Sequence, residues 1–161
     1  MATYTDPITG LLKRQGVAEG TVDPQGTMAW FTRDAIVINI EDATEIPATA
    51  ATPNVDDPRI PAGAFITNAY VMVETGFTSG GSAALNIGLY EADGSTIDVD
   101  GIDAAVAVAD LGANKAVVCD GAYVGGTVMP SVDAYIQLDY DTAAFTAGAG
   151  KVVIEYINFD N

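Results

Sequence analysis

Histidine is missing altogether from these 161 residues, and cysteine occurs once, at Cys119. The first absence removes the commonest general base and the commonest transition-metal ligand. The second excludes an internal disulfide and a cysteine-built zinc site within one chain. Cys119 follows Val117-Val118, and with no histidine anywhere to act as its base it reads as a small buried hydrophobe, not a reactive thiol. Serine is confined to Ser79, Ser82, Ser95 and Ser131, none of them in a nucleophile elbow. There is no phosphate loop ending in Lys-Ser or Lys-Thr and no dinucleotide fingerprint. Basic residues are scarce, six against 22 acidic ones, for a net charge of −16. Such a surface repels nucleic acid, whose binding rests on Lys and Arg displacing counterions, and it repels anionic membranes too. No run approaches the ~20 apolar residues of a membrane helix. The start, Met1-Ala2-Thr3-Tyr4-Thr5-Asp6-Pro7, has neither the basic nor the apolar stretch of a secretion signal. The expectation is a protein that binds or assembles: no enzyme, no cofactor, no nucleic-acid partner and no membrane partner.

What is present is short-period alternation. Apolar residues make up 49% of the chain, but 26 of them are alanine, so the core should be thin and sheet-like. Ile36, Ile38 and Ile40 fall on one face of a first strand, with Asn39 and Glu41 on the other. Residues 42–61 carry prolines at 47, 53, 58 and 61 and read as a long surface loop. Alternation then places Phe65, Thr67, Ala69, Val71, Val73 and Phe77 on one face, opposite Asn68, Tyr70 and Glu74. Further strands are expected over residues 85–90, 134–140 and 152–156, and a hairpin around Asp120-Gly121 linking Val117-Val118-Cys119 to Tyr123-Val124. Ile102 to Leu111 reads as a helix from its alanines, with a strand as the alternative because of Val106 and Val108. No internal repeat is visible. The fold class is mainly β, an antiparallel β-sandwich or jelly-roll-like domain over residues 34–161, with an extended N-terminal arm over 1–33.

The arm is punctuated by Gly10, Gly16, Gly20 and Gly26, and Leu11 to Gln15 has room for a single helical turn. Residues 1–60 hold Lys13, Arg14, Arg33 and Arg59 against nine acids, whereas 61–161 hold two lysines against thirteen. The arm therefore suits an acidic neighbour better than the remainder does. Trp30-Phe31 either anchors the arm in a groove of another subunit or caps the core edge of its own chain. Glu74, Asp139 and Glu155 alternate with core residues and should point to solvent, so no paired carboxylates suggest hydrolysis. The densest acidic stretch, 91–103, offers Asp93, Asp98, Asp100 and Asp103 as candidate calcium ligands, since clustered Asp on glycine-containing turns suits a hard cation. Its glycine is misplaced for an EF-hand and no Glu closes it. The alternative is a pair of solvent-facing turns.

Four segments carry a resemblance: Ile60-Pro61-Ala62-Gly63-Ala64-Phe65-Ile66-Thr67; Phe77 through Leu89; Asp93-Gly94-Ser95-Thr96-Ile97-Asp98-Val99-Asp100-Gly101; and Ala143 through Tyr156. Over roughly 100 residues the chain resembles small structural proteins of tailed phages, in particular those that decorate (cement) the head. The resemblance implies a β-sandwich on the outer surface of the virion, often trimeric, clamping neighbouring major capsid subunits. The arm lies outside the matched segments; on its charge and extension alone, Lys13, Arg14, Trp30, Phe31 and Arg33 are expected to lie across a capsid seam and the arm to order on binding. A tail or fibre component that binds a host receptor is the competing placement.

Overall fold

A computed structural model describes residues 2–5, 12–15, 32–127, 129 and 131–158, with side chains from residue 34 onward. Its strands are β1 (Ala2–Thr5), β2 (Leu12–Gln15), β3 (Thr32–Ile40), β4 (Arg59–Ile60), β5 (Phe65–Ser79), β6 (Ala84–Tyr90), β7 (Thr96–Ala107), β8 (Ala116–Val118), β9 (Ala134–Asp141) and β10 (Phe145–Asn158). β1 and β2 pair with each other as a small antiparallel sheet. Of the single helical turn expected at Leu11–Gln15, the described residues Leu12–Gln15 are therefore strand.

The other eight strands form two four-stranded antiparallel sheets, β3-β10-β5-β8 (sheet 1) and β4-β9-β6-β7 (sheet 2). Counted from β3, the first strand pairs with the eighth, the second with the seventh, the third with the sixth and the fourth with the fifth. One long antiparallel hairpin rolled around an axis gives this pairing, which is the jelly-roll form of the sandwich. Apolar side chains alternate inward from both sheets. Val71, Val152 and Ile154 from sheet 1 face Leu85, Ile87, Leu89 and Ile102 from sheet 2, all fully buried. One end is closed by Phe77 and Phe145, edge to face at 5.3 Å, with Tyr140 against Phe145.

Three sequence expectations change. Asn68 pairs with Glu155 but Ile66 pairs with Tyr156, so Thr67 is an extra residue. This bulge reverses the alternation before it: Ile66 is buried, and Phe65 is turned to the opposite face from Ala69, Val71 and Val73. The stretch Ile102–Leu111 is not helical; its first half completes β7. The pairing of β7 with β6 slips repeatedly, and Ala105 adopts φ 55°. The alanines that suggest a helix fill irregular strand, where their small side chains tolerate the bulges. Val117-Val118 and Tyr123-Val124 do not pair with one another: β8 joins β5, and Val124 bridges Ile66. Gly88 shows how tightly β7 folds over β6, since a Cβ there would sit 2.6 Å from the Val99 carbonyl oxygen.

Candidate interaction surface

The outward face of sheet 1 follows from its register. Inward residues of β3, β10 and β5 are Ile36, Ile38 and Ile40, Val152 and Ile154, and Ala69, Val71 and Val73. Their neighbours must point outward. Val37 pairs with Val153, Val153 with Tyr70 and Tyr70 with Val118. One row of side chains crossing all four strands, roughly 15 Å at ordinary strand spacing, is thus Val37-Val153-Tyr70-Val118. Met72 adjoins it, and Phe65 pairs with Ile157 further along the same face. Val37, Met72 and Val118 are 52%, 49% and 66% exposed, which marks them as large apolar side chains left in water.

The charged side chains on the described strands of this face are Lys151, Glu74 and Glu155, each of them engaged, and exposed Glu41 lies just past the end of β3 beside Lys151 and Glu74. Lys151 Nζ is 2.8 Å from Glu74 Oε1. Asn68 Nδ2 donates to Glu155 Oε2 at 3.1 Å. A nearly neutral, apolar face on a chain of net charge −16 is the feature that sets this surface apart from the rest.

The outward face of sheet 2 has the opposite character. The segment between β3 and β4 opens with a 3-10 turn, Ala43–Glu45, capped by Asp42, whose Oδ1 accepts from Thr44 N at 2.9 Å. That bond, with a second from the Thr44 hydroxyl, holds the Asp42 carboxyl below its ordinary value. The segment then runs along β9, where Tyr140 N donates to the Pro47 carbonyl and Ile136 N to that of Pro58. It reaches onto the face as well, with Gln137 Nε2 donating to Asp57 Oδ2 at 3.0 Å. Tyr90 and Tyr135 are buried, and desolvation raises the Tyr90 hydroxyl above its ordinary value. Asp139, which accepts from Asn86 Nδ2 at 2.8 Å, and exposed Asp141 give the face its acidity. The proline-rich loop lies over the surface as its composition predicts, and it covers one sheet only.

The four candidate calcium ligands do not converge. Asp93 occupies the turn after β6, and its Oδ1 accepts from Ser95 N at 2.8 Å, which holds its carboxyl low. Asp98 and Asp100 lie together on β7; a hydrogen bond with the Asp98 carboxylate pushes the Asp100 carboxyl upward. Asp103 is turned into the core, the only charged side chain buried among the described residues. Desolvation raises its carboxyl, while hydrogen bonds from the Cys119 thiol and from the backbone of Ala104 and Asp120 oppose that rise. Burial likewise pushes the Cys119 thiol far up, so it is a buried thiol donating to a carboxylate, in keeping with an inert cysteine. Among the described residues no group of three or more acidic, cysteine or histidine side chains is placed to hold a metal ion.

Of the candidate partner-binding residues, Lys13 and Arg14 lie in β2 and Arg33 in β3, where the description is of the backbone. Trp30 and Phe31 lie outside the described residues. The row on sheet 1 was missed by the sequence reading, although a signal existed. Ile36-Val37-Ile38, Val117-Val118 and Val152-Val153-Ile154 are apolar on both faces of their strands, more than a one-sided sheet requires. Among the described residues no helix is long and apolar enough to cross a membrane.

No protein-family description and no curated protein matches the sequence. Two solved structures share the fold. A chain of the cyanophage Pam1 capsid asymmetric unit is 16% identical with a TM-score of 0.53, over 90% of this chain and 96% of that one. A chain in the capsid of Ralstonia phage GP4 is 15% identical with a TM-score of 0.53, over 91% and 95%. At this identity the likeness is one of fold, and it extends over nearly the whole length of both chains.

Proposed function

We propose that this chain is a non-enzymatic structural protein of a phage virion, one that decorates the head and bridges major capsid subunits. The observation that carries the reading is the full-length fold likeness to chains of two phage capsid structures. The asymmetry of the sandwich supports it. The neutral apolar face of sheet 1 rests on the shell, and the acidic, loop-covered face of sheet 2 turns to solvent. A decoration protein that touches several subunits needs only modest contacts at each, because every contact after the first forms at high effective concentration. The N-terminal residues 1–33 supply a further contact along a capsid seam.

The test is the copy number of this chain relative to the major capsid protein in purified particles, by quantitative mass spectrometry. Hundreds of copies are expected. A handful would move the chain to the tail or a fibre, and complete absence would remove it from the virion.

A further inference from the structure

A jelly roll has four strand edges, and open edges recruit other strands unless they are shortened, bent or covered. Three of the four are blunted here. β8 spans only Ala116–Val118, and β4 only Arg59–Ile60. β7 is long, but its register with β6 is broken between Leu85 and Ile87, between Ile87 and Leu89 and between Leu89 and Tyr90. β3 alone is long and regular: nine residues in unbroken register with β10, with no described strand on its other edge. Its stretch Ala35-Ile36-Val37-Ile38-Asn39-Ile40 contains no charge and no proline.

A second observation falls on the same edge. Between β3 and β9 the two sheets part to leave a cleft of about 300 Å³, lined by Ile38, Ile40, Ile46, Ile136 and Leu138 and also by the acidic Glu41, Asp42, Glu45 and Asp57. Ile36, Ile38 and Leu138 are only half-buried there, so the core is open to water on this side.

We infer that a second copy of the chain closes this edge, β3 pairing antiparallel with β3 about a two-fold axis at Val37. The strand is self-complementary in that register. Val37 meets Val37 of the partner subunit and Ile36 meets the partner's Ile38. Ala35 meets the partner's Asn39, and Arg33 falls opposite the partner's Glu41, each twice. Asp34, exposed in the single chain, falls opposite the partner's Ile40 at the strand's end. The two copies of sheet 1 become one sheet of eight strands. On its outward face the row Val118-Tyr70-Val153-Val37 runs on into its own mirror sequence, doubling the apolar surface. The inference stands apart from the virion reading, because it needs no particle.

The test uses the full chain in solution. Sedimentation velocity should show a dimer whose fraction rises with salt, as screening relieves the repulsion between two chains of net charge −16. Val37→Lys places two lysines on the axis and should weaken the dimer at least tenfold. Met72→Lys, on the same face but in an inner strand, should leave it intact. Under oxidation Val37→Cys should yield a disulfide-linked dimer and Val118→Cys, at the far edge, none. A chain that stays monomeric or forms trimers overturns the inference. So does a dimer lost with Met72→Lys but kept with Val37→Lys, which would indicate face-to-face stacking.

Discussion

Serine replacement of both Met72 and Val118 tests the apolar face with the fold left alone. Fully burying a Val or Met side chain is worth about 1.5–3 kcal/mol. With Met72 49% and Val118 66% exposed, half to two thirds of that gain is unrealised in the free chain. Covering both against a shell therefore adds about 1.5–4 kcal/mol per copy, or one to roughly three decades of affinity at about 1.4 kcal/mol per decade. Both residues stand in water, so the stability of the isolated protein should change by no more than about 0.5 kcal/mol for each. The assay is rebinding to particles stripped of this chain, over a concentration series, scored as copies per particle. The half-saturating concentration should rise at least tenfold while the melting temperature holds. An unchanged half-saturation with an unchanged melting temperature would show that sheet 1 does not face the shell.

Two further outcomes concern the fold itself. Burial raises the Asp103 carboxyl above its ordinary 3.8, so the folded chain holds that proton more tightly than the unfolded one. Its contribution to stability is full below pH 3.8 and is lost as pH rises through the higher folded value, at about 1.4 kcal/mol per unit of elevation. The stability of the wild type relative to Asp103→Asn should therefore grow on acidification from pH 7 to pH 4 in urea unfolding; a gap constant with pH refutes this account. Gly88→Ala puts a methyl 2.6 Å from the Val99 carbonyl oxygen and 2.8 Å from the Tyr90 ring, and should cost about 1–3 kcal/mol. Gly80→Ala, with nothing within 4 Å, should be neutral in the same measurement.

The candidate site was legible only in pieces. Lys13, Arg14, Trp30, Phe31 and Arg33 came from local charge and aromatic content, and the sheet 1 surface is built from other residues. Val37, Tyr70, Val118 and Val153 are far apart in the chain and become one row only because β10 lies between β3 and β5, with β8 beyond. Strand order is set by long-range pairing, so no window of sequence contains it. Asp103 misled the reading for a related reason. It stands among Asp98 and Asp100 in sequence, but it is an odd number of residues from both on a strand whose register with β6 slips, and it is buried where they stay at the surface. The bulge at Thr67 likewise sends Ile66 inward where strict alternation nominates Phe65.

The sequence by itself determined the class of protein. Period-two alternation made it β, proline placed the loop, and the lack of histidine, the single cysteine and the charge balance set expectations about catalysis and polyanion partners. Each of these is a local or additive property, readable without knowing what touches what. Tertiary structure alone decided the rolled-hairpin order, the covering of one sheet by the 42–58 segment, the neutral row on the other and the single long, regular edge at β3. These depend on register between distant strands, where a one-residue shift turns every side chain to the other face.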